Sequence, residues 1–339
     1  MRLIASFFSA LLLVSIALVP AARAQDTGIS GDAGVETQRA VVQTVKTLSL
    51  KVPGVPTLVD VRFADVDGDA IFEGDISLGT TFEMGLLNAL SGTDFSKFDS
   101  SEPQTEEPAD SSDQLSADAV SAIGLRGLTV LANFGGTPRR WPGGRIPYVI
   151  SAGFPHPERL TQAIQYWQSH TPLTFVDVTT RAGQFPNRVV FVAIGSGCSS
   201  PVGMQGGPQN IKLGPDCSSG NVVHELGHSI GLGHEQTRND RDMFIRVDYA
   251  NIIQMYQYNY DKHPNEYADS CKYDFDSIMH YPAKGSFNVD QQQPSLIPLQ
   301  PLPAGVVMGQ RDHLSKGDLY AVRQMYSSLY AGVQDPGCP

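Results

Sequence analysis

The stretch HELGHSIGLGH, residues 224–234, places three histidines and a glutamate at spacings that suit a metal site. In a helix, His224 and His228 lie one turn apart on the same face, so their imidazoles can meet at one ion. Gly231 stands where that helix would have to stop, because a residue without Cβ can take the left-handed conformation that reverses the chain. His234 would then approach the same ion from outside the helix.

The chemistry that this pattern predicts is metal-assisted hydrolysis. Three neutral histidines around one Zn²⁺ leave a position for water, as in catalytic sites. Glu225 is placed to take a proton from that water. A bare His-Glu-x-x-His also arises by chance, with both histidines on the exposed face of an ordinary helix. Gly231 and His234 argue against that alternative, because a solvated face has no use for a glycine break followed by a third histidine.

Further blocks along the chain carry a resemblance to a known family. They are WPGGRIPY at 141–148, HEQTRNDRD at 234–242, SIMHY at 277–281, GQR at 309–311, LS at 314–315 and Asp318. With the histidine segment, these blocks resemble the astacin-type zinc metalloendopeptidases of the metzincin clan. The matching region runs from about Trp141 to Tyr326.

The resemblance implies an α+β fold, a two-lobed catalytic domain with a twisted sheet and the active-site helix on one side of a cleft. Met279 would form a hydrophobic floor under the metal, and Tyr281 would be a removable fifth ligand that also holds the oxyanion. Glu235 would anchor the mature amino terminus beneath the site. Substrate would lie extended across the cleft and pair with an edge strand near Gln209 to Leu213.

A short acidic segment far upstream, FEGDI at 72–76, has two interpretations. Taken alone, it is a turn between two strands. It also resembles the aspartate switch of the family, which implies that Asp75 is a zinc ligand in the latent form only. Gly74 would then let the backbone come close to the metal, and Phe72 would fill an apolar part of the cleft. The propeptide would be the intramolecular inhibitor of its own enzyme.

The chain divides into three predicted parts. A charged start and an apolar run ending in a small-residue site predict a secretory signal peptide over 1–24, with a membrane anchor as the alternative. An acidic, Ser- and Pro-rich stretch near 98–118 predicts an exposed, cleavable linker. The linker lies within a propeptide over 25–131, which precedes an astacin-like catalytic domain over 132–339. The processed protein would be secreted or periplasmic.

Composition limits the partners. The chain has 24 Lys and Arg against 35 Asp and Glu, a formal net charge of −11. Without a basic stripe it is not expected to bind nucleic acid. The expected partners are protein or peptide substrates and the chain's own propeptide, with no stable membrane anchor. A catalytically inactive, metalloprotease-like binding protein with structural zinc is the alternative function, and the intact Glu225 argues against it.

Around these residues the sequence predicts helix and strand first, and then mainly helix. Apolar residues at helical spacing predict a helix over 157–170. Runs rich in β-branched residues at 175–178 and 189–194 predict strands. Ser315, with Asp318 three residues later, predicts the start of a helix that continues to Tyr326.

Four cysteines, Cys198, Cys217, Cys271 and Cys338, lie in the second half of the chain. Export makes disulfides the expected state, and three pairings are possible, with Cys198–Cys217 as the local choice. The resemblance implies the same local bridge. The family's second bridge is missing, since Pro172 stands where its first cysteine is expected. We therefore hypothesise that Cys271 and Cys338 pair and hold the tail beside the SIMHY segment.

Overall fold

The computed structural model describes residues 44–51, 58–81, 83–85, 139–262, 271–335 and 337–338. All of these belong to a unit that spans residues 34–339. The predicted signal peptide, the acidic linker and the boundary near residue 132 lie outside the described residues, so these stay predictions. No helix within the described ranges is long and apolar enough to cross a membrane.

The described residues between 44 and 85, here called the leader, form a four-stranded antiparallel sheet. Its strands, in their order across the sheet, are β1 (Thr44–Lys51), β2 (Leu58–Val66), β3 (Asp69–Phe72) and β4 (Ile76–Thr80). Alternate residues such as Val61 and Phe63 face a small core. Phe72 lies in that core, which also contains Val202 from a later part of the chain, and the expectation that Phe72 fills an apolar part of the cleft stays a prediction. Residues 73–75 form the turn between β3 and β4.

A mixed five-stranded sheet follows. Its elements along the chain are β5 (Arg145–Ile150), α1 (Glu158–His170), β6 (Thr174–Asp177), β7 (Arg188–Ala193), β8 (Cys198–Ser199) and β9 (Pro208–Leu213). The order across the sheet is β6-β5-β7-β9-β8, with only β8 antiparallel to its neighbour. The helix predicted over 157–170 and the strands predicted over 175–178 and 189–194 are confirmed to within one residue.

Helix α2 (Ser219–Ile230) packs with α1 over the main apolar core. Two buried tryptophans fix it by hydrogen bonds to its backbone. Trp167 Nε1 donates to Val223 O at 3.0 Å, and Trp141 Nε1 donates to Ser229 O at 2.8 Å. Each indole therefore buries a large ring and satisfies its one polar group. The helix with the histidine motif is thus held near both of its ends.

The described residues after α2 are mainly irregular, so the expectation of mainly helix in this part is wrong. This part contains a short antiparallel pair, β10 (Ile245–Val247) and β11 (Leu296–Pro298), and the helix α3 (Lys316–Met325). Helix α3 begins at a capping box in which Ser315 and Asp318 bond each other's backbone N–H groups. The helix predicted from Ser315 is therefore confirmed. Mixed helices and sheets of this kind confirm the expected α+β class.

The sheet edge differs from the expectation. The segment Gln209 to Leu213 belongs to β9, which lies between β7 and β8, so the prediction that it is the edge strand is wrong. Only Lys212 and Leu213 of β9 pair with the two-residue β8. The chain after β8 pairs with the leader, since Ser200 N donates to Asp75 O at 2.9 Å and Ser77 N donates to Ser200 O at 3.1 Å.

Two disulfides join the four cysteines. The structure pairs Cys198 with Cys217 across 19 residues, and Cys271 with Cys338 across 67 residues. The first bridge joins β8 to the loop before α2. The second attaches the tail to the segment that precedes SIMHY. These are the two pairs that the sequence analysis proposed.

Candidate metal centre

Helix α2 carries two of the predicted ligands on its buried side. It begins at a capping box in which Ser218 Oγ accepts a hydrogen bond from Asn221 N, and the Asn221 side chain accepts one from Ser218 N. This satisfies N–H groups that the first turn would otherwise leave unpaired. His224 and His228 follow one turn apart, and both are fully buried. The helix therefore presents two imidazoles to one point.

Gly231 ends the helix and brings in the third histidine. Its φ is 121°, a conformation that residues with a Cβ rarely adopt. Gly231 N donates to His228 O and Leu232 N donates to Gly227 O, each at 2.9 Å, so the chain turns out of the helix within two residues. His234 then comes back toward α2, and its ring centroid lies 4.6 Å from that of His228.

The three imidazoles converge on the carboxylate of Asp75 in the leader. His224 Nε2 lies 3.2 Å from Asp75 Oδ2, and Asp75 Oδ1 lies 3.2 Å from His234 Nε2 and 3.7 Å from His228 Nε2. All four donor atoms lie within 4.8 Å of one another. Ligands bonded to zinc at about 2.0–2.1 Å in a tetrahedron lie roughly 3.3 Å apart. The separations therefore suit a zinc ion at the centre.

Polar atoms left without partners support this fit. Asp75 Oδ1, His228 Nε2 and His234 Nε2 are buried and have no hydrogen-bond partner among the described residues. Buried polar groups of native proteins are nearly always satisfied, and a cation between these atoms would satisfy all three. The donor set of three imidazoles and one carboxylate is one that zinc accepts.

The electrostatics of the four side chains agree with a bound cation. Burial lowers the pKa of His224 and of His228, which favours the neutral imidazole that a metal requires. Burial also acts to lower the pKa of His234, but the carboxylates of Asp75 and Glu73 raise it to about 10. Burial acts to raise the pKa of Asp75, and the three histidines hold it well below its usual range. The two carboxylates thus favour one positive charge at this point, which a proton on His234 supplies in the absence of metal and which a divalent cation would supply in its place.

The outer nitrogens of the three rings have different partners. His224 Nδ1 lies 2.8 Å from Ile278 O, and His228 Nδ1 lies 2.9 Å from Leu232 O. His234 Nδ1 lies 2.8 Å from Glu73 Oε2. Carbonyl and carboxylate oxygens only accept, so each Nδ1 carries the proton and each Nε2 is free to bind a metal. All three rings are therefore oriented for ligation.

The SIMHY segment packs against α2. A Cβ added to Gly227 would lie 2.7 Å from Met279 Sδ, so the Met279 side chain and the helix are in close contact at this glycine. Asp318 at the start of α3 accepts hydrogen bonds from Ser277 Oγ at 2.6 Å and from Ile278 N at 3.0 Å. The capping carboxylate of α3 thereby fixes the segment whose carbonyl orients the first imidazole.

The other predicted site residues lie around this cluster. Glu225 is fully buried on α2. The Tyr281 hydroxyl donates to the backbone carbonyl of Glu73, and the Tyr281 ring centroid lies 4.8 Å from that of His234. Glu235 Oε1 accepts a backbone N–H at 2.7 Å and borders a pocket of about 40 Å³. The roles assigned to these three residues stay predictions.

Gly74 allows the leader to reach the metal centre. Its φ is 80°, and a Cβ there would lie 2.8 Å from the Tyr281 hydroxyl and 3.1 Å from the Phe287 ring. Only glycine combines that backbone conformation with so close an approach. Asp75 then projects from the turn into the histidines with 1% of its surface exposed.

Sequence reasoning missed three contacts of the site: Glu73 with His234, Ser200 with the leader backbone, and Asp318 with SIMHY. The first had a weak signal, because Glu73 stands two residues from Asp75. The second had none, since a backbone contact carries no residue type. Asp318 was noticed only as a helix cap.

Fold and site together define a class, a mixed α/β domain with a three-histidine metal centre built on one helix and the turn that follows it. The chain belongs to the astacin family of peptidases, since the family model described as Astacin matches residues 135–327.

Individual relatives resemble this same part of the chain. Human tolloid-like protein 1 is 40% identical over 198 residues, which are 56% of this chain and 19% of the relative. Bone morphogenetic protein 1 of Xenopus laevis is 41% identical over 202 residues, 57% of this chain and 28% of the relative. The chain thus spans less than a third of the length of these curated relatives.

Among solved structures, high choriolytic enzyme 1, a hatching enzyme zinc-protease from the medaka fish Oryzias latipes, is similar. It is 32% identical, and the match covers 56% of this chain and 94% of that chain with a TM-score of 0.49.

Proposed function

We propose that this chain is a secreted zinc-dependent endopeptidase, made as a latent zymogen in which Asp75 occupies the zinc. One observation carries the proposal. The Asp75 carboxylate of the leader lies 3.2 Å from two of three converging imidazoles and is almost fully buried. A carboxylate there takes the position that a catalytic zinc site keeps for water. Bound zinc would supply Lewis acidity to that water and to the scissile carbonyl once the leader has gone.

The protein groups around the metal suit peptide hydrolysis. Glu225 follows the first ligand directly, and its buried carboxylate would take a proton from the attacking water and return it to the leaving amine. Tyr281 would donate a hydrogen bond to the oxyanion. In the latent form its hydroxyl is bonded to Glu73 O, so release of the leader frees it for that role.

The leader also indicates how a substrate would be held. Its backbone bonds Ser200 on both sides, through Asp75 O and Ser77 N. An extended peptide could use the same N–H and C=O groups after the leader leaves, which is β-strand addition at the sheet edge. Lys284 is exposed three residues after the SIMHY segment, and its positive charge would favour acidic side chains near the scissile bond.

Glu235 would receive the new amino terminus. Its carboxylate faces a pocket that Asp274 and Asp318 also line, and Arg238 Nη1 lies 3.4 Å away. Burial raises the pKa of Glu235 to about 8, and a terminal ammonium group in this pocket, which Arg238 and Lys272 also line, would favour its ionised form. The proposal of secretion rests on the apolar run at residues 3–19 and on the two disulfides.

The proposed block of the zinc site by the Asp75 carboxylate, here called the latch, can be tested by removing that carboxylate. We expect full-length Asp75→Ala to hydrolyse a broad peptide library without prior processing, while the parent zymogen stays silent. The difference should be at least about 100-fold, since a direct metal ligand blocks the catalytic water. The measurement is the initial rate of cleavage with and without a chelator.

The matched control is Asp75→Ala combined with Glu225→Ala. This double variant should keep zinc and remain silent, because the proposed base is absent. If full-length Asp75→Ala is as silent as the parent while the processed parent is active, the latch does not act through Asp75. If the processed parent itself cleaves nothing, the alternative of an inactive binding protein gains support.

A further inference from the structure

Glu73 is a second buried anion that the leader brings to the metal centre. Its side chain is fully buried, and its carboxylate lies 2.8 Å from His234 Nδ1. A carboxylate out of water is costly unless it is paired. Its backbone φ is +46°, a region that favours glycine or asparagine rather than glutamate. The backbone is therefore held in an unfavourable conformation at the position where this carboxylate meets the ring.

The Nδ1 atoms of the three histidines take their hydrogen-bond partners from different parts of the chain. His224 and His228 donate to backbone carbonyls, those of Ile278 and Leu232, within the catalytic domain. Only His234, among the three, takes its partner from the leader. A carboxylate on the outer nitrogen fixes the tautomer and makes the metal-binding nitrogen more basic, and such partners affect metal affinity by about 10- to 100-fold.

We propose that Glu73 is a positioning residue of the latent form, which binds His234 Nδ1–H and tightens zinc retention until the leader is removed. This inference rests on the proposed latch. Asp75 binds the cation directly, and Glu73 binds it through His234. The leader thus contributes two negative charges to the neighbourhood of one divalent cation. Processing removes both, so the zymogen holds zinc more tightly than the mature enzyme does.

The same residue links the latch to Tyr281. The Glu73 backbone carbonyl accepts the Tyr281 hydroxyl, while its side chain accepts from His234. The ring centroids of Tyr281 and His234 lie 4.8 Å apart. One leader residue therefore engages the hydroxyl proposed for the oxyanion and the third ligand at once. Its side-chain role can be separated from its backbone role, because substitutions change only the former.

Zinc transfer from the full-length chain to a chromogenic chelator tests the proposal. All variants carry Glu225→Ala, so that none digests itself. Glu73→Ala should release zinc at least about 10-fold faster than the parent, since outer carboxylate partners have effects of that size. The rate of zinc release from Glu73→Gln should lie between those of the parent and Glu73→Ala, because the glutamine amide oxygen still accepts a hydrogen bond but carries no charge. The resonance of His234 Nδ1–H should shift upfield in Glu73→Gln.

Asp69→Asn is the matched control. It removes a leader carboxylate that pairs with Lys212, far from the histidines in sequence, and loosens docking without touching the metal. It should accelerate zinc release much less than Glu73→Ala does, because it removes one docking contact and no partner of a metal ligand. Equal acceleration in Asp69→Asn and Glu73→Ala would overturn the proposal, because general loosening would then explain both.

Asp75→Ala separates this inference from the latch. If Asp75→Ala releases zinc faster while Glu73→Ala matches the parent, the latch stands and the role of Glu73 is wrong. If Asp75→Ala also matches the parent, the latch itself fails, and the inference fails with it.

Discussion

Gly227 lies where helix α2 contacts Met279 of the SIMHY segment. Alanine normally stabilises a helix interior by about 1 kcal/mol relative to glycine. Here the added Cβ would lie 2.7 Å from Met279 Sδ, so the buried Met279 side chain would have to shift. We expect Gly227→Ala to lower the free energy of unfolding by roughly 1–3 kcal/mol, the usual cost of overpacking. Denaturant unfolding of the zinc-loaded Glu225→Ala chain measures it.

Gly183→Ala is the control for that variant. No atom lies within 4 Å of the position that its Cβ would take, so the change in unfolding free energy should stay within about 0.5 kcal/mol, as for other surface substitutions. A Gly227→Ala chain as stable as the parent would mean that Met279 can move without cost. The methionine would then be a loose neighbour of the helix and not a floor fixed against it.

Residue spacing predicted the three histidines because the information is local. One helical turn separates His224 from His228, and one glycine turn brings in His234, so a single short segment defines the cluster. The prediction for FEGDI was of another kind. It is both a turn between strands and the segment that reaches the histidines, so the two interpretations describe the same residues.

Between elements, the carboxylate of Asp318 joins α3 to the SIMHY segment. It accepts from Ser277 Oγ, Ile278 N and Ser315 N. An asparagine has one acceptor oxygen and would turn its NH₂ group toward at least one of these donors. We expect Asp318→Asn to lower the free energy of unfolding by about 1–3 kcal/mol, the cost of unsatisfied buried groups. Thermal and denaturant unfolding of the zinc-loaded chain measure it.

Asp312→Asn, an exposed change six residues earlier, is the comparison and should be nearly neutral. Zinc release provides a second measurement. Since Ile278 O orients His224, a displaced SIMHY segment should also release zinc faster. If Asp318→Asn is neutral in both measurements, then the capping box of α3 does not support the metal centre.

Helices and strands were predicted where the apolar periodicity of the sequence was clear. The prediction failed where strand pairing determines the position of a strand in the sheet. Helix α1 and strands β6 and β7 follow from their apolar spacing. The edge strand does not, because β9 has the same pattern whether or not β8 covers its end. Two residues, Cys198 and Ser199, are too few to show periodicity, yet they cover the end of β9, and the leader bonds the backbone of the next residue, Ser200. That information exists only in the tertiary structure.

For the whole molecule, the leader docks through contacts distributed over the residues that follow it. Asp69 pairs with Lys212, Arg62 pairs with Asp261, and the Asp75 turn bonds Ser200. The Arg62–Asp261 pair is nearly half exposed and contributes little. Docking therefore depends more on the mostly buried Asp69–Lys212 pair, on the backbone bonds to Ser200 and on the metal centre. Zinc and the leader should then bind cooperatively.

That cooperativity can be measured by removing the metal. By linkage, if the leader strengthens zinc binding through Asp75, zinc strengthens leader docking by the same free energy, typically about 1–3 kcal/mol. Chelation should therefore lower the Tm of the full-length Glu225→Ala chain by several degrees more than that of the same chain with Asp75→Ala. Chelation should lower the Tm of the Asp69→Asn variant as much as that of the parent, because the Asp69–Lys212 contact lies outside the metal centre. Equal losses in the parent and Asp75→Ala would show that the two ends of the latch are energetically independent, and Asp75 would then be a neighbour of the zinc rather than its ligand.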